Sequence, residues 1–494
     1  MIEFSMEQTC KAALFYFQAG KLDEAERMFR QVLTRQPGHE LALRMAGVIA
    51  MQRGKQTGGE GAGDAEAEFQ WGAKLEIKGE YEKAAGHFRR AIELAPSHPR
   101  AHYGLGNVLR SMFDLEGAKE AFEAAIATAP GFAPAYNNLG NVLKDLGEAA
   151  EAQEAHEKAA RLDPHFAPAF NSLGIYWQER ERLDEAIQHF THAVEIAPNF
   201  AAFRSNLAGA YCLAGRAHEA VAEYRLALES QPEAATIHSN LLYTMHLDAS
   251  VNAQELFLAC REWDRRHGAG LMPVNRGYGN DRPVERRLRV GYVSPDFREH
   301  AVGRFMLPLL EGHDGNVVET FCYAHGIKAD GMTGRLRAAA GNWREITKMS
   351  DEEVAERIRE DRIDVLVDLT MHAAGCRPLI FARKPAPVQV AYLAYVSTTG
   401  MRAMDYRLSD PYLDPVGIDE GVYSEKTVRL PRSYWCYPVP EEAPGVGALP
   451  AEGNGYVTFG CLNSFSKVSD ETVRLWGKML LAVKGSRLVI HAPE

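Results

Sequence analysis

The chain has 494 residues, 46% of them apolar and 24% charged, with a formal net charge of −11 and a pI near 5.9. An acidic balance of this kind argues against a general nucleic-acid or anionic-membrane role, and the length suits two or three folding units. Its seven cysteines form no CxxC pair, which argues against a zinc site or disulfide framework and for a reducing compartment. No apolar run reaches the ~18 residues of a membrane span, and the N-terminus lacks a basic head before an apolar stretch, so a cytoplasmic protein is expected.

In chain order, an isolated helical repeat is predicted over 1–53, with Gly20, Ala25, Phe29 and Pro37 in repeat positions. The glycine-rich stretch 54–68 reads as a flexible break. A strict period of 34 follows over 69–249. Pro96, Pro130, Pro164, Pro198 and Pro232 keep step with Ala84, Ala118, Ala152, Ala186 and Ala220. An aromatic row (Phe88, Phe122, His156, Phe190, Tyr224) and a second alanine row (Ala91, Ala125, Ala159, Ala193, Ala227) share the period. Small residues at a helix crossing, a ring in the gap and a closing proline are the tetratricopeptide signature, which predicts an α-solenoid with a protein-binding groove. Asn138, Ser172, Asn206 and Asn240 share the spacing and are expected along one inner face. An amide there either grips a peptide unit, since it donates and accepts, or bridges helices within the stack.

Residues 240–248 read as a capping helix and 250–283 as a connecting helix and linker. From 284 to 438 the pattern changes to short apolar runs such as LRVGYVS, IDVLVDLT and VQVAYLAY, separated by helical stretches. That alternation predicts a parallel α/β sheet. A Pro/Gly-rich linker over 439–455 precedes a second α/β segment, 456–494, whose single strand–helix–strand unit reads as an incomplete domain.

Ligands of open parallel sheets bind beyond the carboxyl ends of the strands. The loop 294–305 brings Asp296, His300 and Arg304 to that edge. The loop 461–469 sets Lys467 just before a helix N-terminus, where backbone N–H groups already favour phosphate. His372 also follows a strand, and a hydrogen-bonded structural role is an equal reading. There is no GxGxxG, GxxxxGK[ST] or HExxH, and no plausible metal site.

LRVGYVSPDFREHAVGRF, DVLVDLTMHAAGCRP, PAPVQVAYLAYVSTTG, YSEKTVRLP and FGCLNSFSKVSDETVRLW together resemble the O-linked N-acetylglucosamine transferase family, in its bacterial and plant Spindly-type forms. The resemblance covers essentially the whole chain. It implies a two-Rossmann (GT-B-like) glycosyltransferase after the solenoid, its second Rossmann-like domain incomplete. It implies an inverting, metal-independent transfer of a sugar from a nucleotide sugar, UDP-GlcNAc first, to Ser or Thr, with acceptor proteins in the groove and no cofactor. His300 would be the base, and Lys467 would stabilise the leaving diphosphate. Asn463 and Ser464 would contact the nucleotide, and Asp296, His372, Thr398 and Thr399 would line the cleft. The chain departs from the family at Ala394–Gly400, AYVSTTG where GYPGTTG is usual. Two alternatives stay open: a non-catalytic repeat scaffold, and an O-fucosyltransferase-like enzyme using a GDP-sugar. Neither nucleic acid nor membrane is expected as a partner; self-association through the repeats is.

Overall fold

The computed structural model describes residues 21–35 and 60–491, with isolated positions before 50, apart from 274–276, 282, 284, 327, 418–419, 440–442 and 465–466. The chain forms two compact units, Met1–Arg180 and Glu181–Glu494.

In the first unit, helix α1 (Leu22–Arg35) buries Ala25, Phe29 and Val32 in a small core with Cys10, Ala13, Ala42, Met45 and Ile49. Gly20 and Pro37 lie outside the described residues. Helix α2 (Glu60–Ile77) corrects the flexible break expected over 54–68, whose residues 54–59 also lie outside the described residues. The interval 60–68 is the first half of a helix. Ala65 is fully buried, Glu66 accepts from His98 Nε2 at 3.2 Å, and Glu68 meets His87 Nδ1 at 2.6 Å. Packing against the helices that follow outweighs the glycine content, as tertiary contacts commonly outweigh intrinsic propensity.

Helix pairs follow as the period predicts: α3 (Tyr81–Leu94), α4 (Pro99–Ser111), α5 (Leu115–Thr128), α6 (Ala133–Leu146), α7 (Ala149–Leu162) and α8 (Ala167–Gln178). Both alanine rows are buried along the whole period, as is the ring row. The backbones come close enough that a Cβ on Gly104 would sit 2.6 Å from the Phe88 ring. His156 occupies a ring position as a buried neutral imidazole: its Nδ1 lies 3.2 Å from Asn137 Oδ1, and burial holds its pKa down to about 4.

The second unit opens with α9 (Leu183–Ile196), α10 (Ala201–Leu213), α11 (Ala217–Ser230), α12 (Ala235–Met245) and α13 (Ala253–Trp263), the last running into a π-helical turn, Asp264–Gly268. The sequence reads 250–283 as a connection, but its helical part is a wedge of core. Trp263 and Cys260 are fully buried with Leu242, Met245, Phe321, Leu366, Phe381 and Met401 in one continuous apolar cluster. Repeat helices and sheet in this unit therefore fold as one body, since neither face could be exposed cheaply.

The sheet contains β1 (Leu288–Ser294), β2 (Val318–Ala324), β3 (Asn342–Glu345), β4 (Val365–Asp368), β5 (Val388–Ala391), β6 (Tyr406–Ser409) and β7 (Lys426–Arg429). Their order is β3-β2-β1-β4-β5-β6-β7, and every pairing is parallel. The strands are connected through α14 (Ala301–Gly312), α15 (Gly331–Ala339), α16 (Asp351–Glu360) and α17 (Pro378–Ala382). The expected acidic helix start at 351–353 is there, with a capping box between Ser350 and Glu353. After a short helix, α18 (Pro450–Asn454), within the expected linker, β8 (Thr458–Cys461), α19 (Asp470–Ala482) and β9 (Arg487–Ile490) make a separate two-stranded parallel sheet. None of the described residues from 456 onward is buried, and Leu462, Leu475, Leu481, Val489 and Ile490 are exposed. Among the described residues no helix is long and apolar enough to cross a membrane.

Candidate active site

Strand order reverses between β1 and β4, and the ends of the strands at such a point are the usual ligand position in doubly wound sheets. The loop after β1 carries the predicted residues. Ser294 Oγ accepts from the Asp296 N–H at 3.0 Å, which turns the chain sharply out of the strand. Gly303 lets the loop fold back on α14, because a Cβ there would lie 2.1 Å from the Arg298 carbonyl oxygen. His300 is the N-cap of α14, with Nδ1 accepting the Val302 N–H at 3.3 Å. Asp296 Oδ2 stands 3.7 Å from the same nitrogen. One nitrogen cannot serve both partners: the capping tautomer leaves Nε2–H as a donor, whereas a proton on Nδ1 would turn to Asp296 and free the Nε2 lone pair. His300 is exposed, and so is Arg304, which pairs with Glu299.

The loops after β4 and β5 correct three expectations. His372 is wholly enclosed: Nε2–H donates to the Thr399 carbonyl at 3.0 Å, and Nδ1 accepts from Ser239 Oγ of α12 at 3.1 Å. Burial holds its pKa down to about 4, so it is neutral and structural and does not line a cleft. Thr398 and Thr399 are each 1% exposed. Both grip Glu425, just before β7: Thr398 Oγ1 donates to it at 2.6 Å, the Thr399 N–H at 2.7 Å, and the Thr399 hydroxyl adds a third contact. The loop folds inward because a buried carboxylate requires donors on most of its lone pairs. Asp368, at the end of β4, takes N–H bonds from Thr370 and Met371 at 2.9 and 3.0 Å, yet burial pushes its pKa up to about 6.

Lys467 lies where expected, exposed, ahead of α19, whose N-cap Ser469 accepts from the Thr472 N–H at 3.3 Å. Asn463 and Ser464 are exposed in the same loop, and the Ser464 carbonyl accepts the Lys467 N–H at 3.1 Å. His300 and Lys467 stand on different sheets, and among the described residues no hydrogen bond or ion pair joins them. No group of three or more His, Cys, Asp or Glu among the described residues could hold a metal ion. Sequence reading missed Glu425 and Ser239, because one carboxylate and one hydroxyl carry no local signal; only the tertiary fold brings them to the 370s and 390s loops.

Of the four groove residues, Asn138 is already engaged inside the first unit. Its Nδ2 donates to Asn107 Oδ1 at 2.8 Å and to Tyr103 Oη at 3.0 Å, and its Oδ1 accepts from Asn137. That is the helix-bridging reading. Asn138→Ala is expected to cost about 1–2 kcal/mol of stability, on the scale of the hydrogen bonds lost. A melting temperature equal to the parent's would show that the bridge contributes nothing. Ser172 is half-buried in the first unit; Asn206 and Asn240 are half-buried in the second.

The chain matches the glycosyl transferase family 41 over residues 275–437 and tetratricopeptide repeats over 10–74, 76–112, 99–132, 133–166 and 178–241. It is 38% identical over 240 residues to a tomato protein described as a probable UDP-N-acetylglucosamine–peptide N-acetylglucosaminyltransferase SPINDLY, a match spanning 48% of this chain and 26% of that one. The UDP-N-acetylglucosamine–peptide N-acetylglucosaminyltransferase of Caenorhabditis elegans is 34% identical over 152 residues, covering 30% of this chain and 13% of that one. The chain thus matches about a quarter or less of the length of these curated relatives. A solved structure of a point mutant of the Thermobaculum terrenum O-GlcNAc transferase is 35% identical and superposes with a TM-score of 0.65, covering 73% of this chain and 68% of that one.

Proposed function

The chain belongs to the O-GlcNAc transferase family, glycosyl transferase family 41, and from that premise we propose that it transfers N-acetylglucosamine from UDP-N-acetylglucosamine to serine or threonine hydroxyls of proteins bound by its repeat helices. The observation that carries the reading is the position of the His300 loop at the point where strand order reverses, on the edge where a nucleotide sugar would lie.

In this reading the acceptor oxygen attacks the anomeric carbon as the bond to the diphosphate breaks, inverting that centre. The acceptor proton passes to His300 Nε2, which requires the tautomer with Nδ1–H turned to Asp296; the capping tautomer cannot accept it. Negative charge grows on the leaving diphosphate. Lys467 and the N–H groups at the start of α19 suit that charge and stand in place of a metal ion. No cofactor beyond the nucleotide sugar is required.

The test is transfer of label from radioactive UDP-N-acetylglucosamine to a protein extract, using the protein isolated from its own cells and variants made there. Lys467→Ala and His300→Ala are expected to lower turnover more than tenfold, the scale of losing one preorganised electrostatic or proton-transfer contact. Equal labelling by Lys467→Ala would remove its assigned role. Transfer from a GDP-sugar alone would replace the donor, and no transfer from either would leave the scaffold.

A further inference from the structure

The turn between paired helices carries a residue in the left-handed backbone region at a 34-residue interval: Gly79, Phe113, Gly147, Glu181 and Gly215. Glycine enters that region freely, whereas a bulky side chain there is strained by its Cβ. Phe113 nonetheless sits at φ 63° and is 89% exposed, so no burial of its ring offsets the strain. Strained residues persist mostly where they serve a site.

The ring borders a cavity of about 660 Å³ in the first unit, lined also by Glu76, Asn107, Arg110, Leu115 and Asp145. Arg110 and Asp145 neutralise one another at 2.9 Å. Glu76 is half-buried, and its side-chain partner is the Asn107 amide; among the described residues no cation lies close enough to offset the burial that raises its pKa. Met112, beside the ring, is also exposed. The cavity thus offers one uncompensated carboxylate in its wall and a fixed aromatic face at its rim.

We propose that this cavity docks a peptide segment carrying a lysine or arginine next to an apolar residue, with the cation on Glu76 and the apolar side chain on Phe113. A half-buried carboxylate without a cation gains most from one supplied by a partner, and an aromatic held in a single backbone conformation loses little entropy on binding. The inference deepens the proposed binding of proteins by the repeat helices and rests on that part of the reading; its binding readout uses no donor sugar, so it can fail while transfer stands.

The probe is a fluorescein-labelled 12-residue peptide with a central Leu–Lys–Leu in a Gly/Ser frame, titrated into the full chain and followed by anisotropy. Phe113→Gly should weaken binding at least tenfold while raising the melting temperature by about 2 °C, because glycine relieves the left-handed strain. That opposite movement separates lost recognition from lost folding. Glu76→Gln should weaken the same peptide at least tenfold, and a peptide with Glu in place of Lys should not bind. The proposal is overturned by failure of the parent chain to bind, by unchanged binding in either variant, by equal binding of the Glu peptide, or by a dimer of the chain that Phe113→Gly dissociates.

Discussion

Gly400→Ala is expected to lower the melting temperature of the second unit by on the order of 10 °C. Gly400 has φ 71°, and a Cβ there would stand 2.3 Å from the carbonyl carbon of Cys260 and 2.5 Å from its oxygen. Those are backbone atoms of α13, and the Cys260 Cβ would stand as close, at 2.5 Å; the helix cannot easily retreat, because Cys260 and Trp263 are sealed in the core. The contact is also tied by Arg261 Nη1, which donates to the Gly400 carbonyl at 2.9 Å. Left-handed strain of about 1 kcal/mol adds to an overpacking cost of about 3 kcal/mol. Each kcal/mol is worth roughly 2–4 °C in a unit of this size. Calorimetry of the variant is the check; a shift smaller than about 2 °C would mean that α13 and the 390s loop are not locked together.

The second large effect is acid destabilisation beginning well above the carboxylate range. His156 and His372 are buried as neutral rings, with pKa values held down to about 4 from 6.5, and burial lowers His238 in the same direction. As pH falls below 6.5 the unfolded chain takes up protons that the folded one refuses. The stability these groups contribute is therefore complete above 6.5 and is lost progressively towards 4. Each is worth on the order of 3 kcal/mol across that window. Asp368 works the other way. Its pKa is pushed up to about 6 from 3.8, so the folded state holds that proton more tightly, and its contribution fades as pH rises from 3.8 through 6. One carboxyl offsets only part of the histidine effect. Urea midpoints at pH 7.5, 6 and 5 should fall steeply, and less steeply in His372→Gln; a flat midpoint from 7.5 to 5 would contradict neutral burial of these rings.

How much of this was legible in the residues follows from where each signal is stored. The repeat was legible because each 34-residue unit needs the same small residues and the same ring, so one packing solution is written several times over. Parallel strands were legible as apolar runs because both faces are covered. The placement of His300 and Lys467 in loops after strands was legible, because each follows an apolar run that ends in a short polar stretch before a helix. The helix over 60–68 was misread because its glycines are local, whereas what holds it, the contacts of Glu68 with its partner helix and of Glu66 with the next repeat, is not.

His372, Thr398 and Thr399 were placed at the edge by their position after strands, yet folding turned them inward onto Ser239 and Glu425. No spacing rule encodes that, because the partners come from a helix of the repeats and from the segment just before β7, both outside the local pattern. By itself the sequence determined the periodic helices, the parallel sheet, the family and which loops follow the strands, all of them properties of short-range pattern. Only the tertiary structure decided which polar groups stay open to a ligand and which become buried ties. A buried polar group must find its partners wherever the chain brings them.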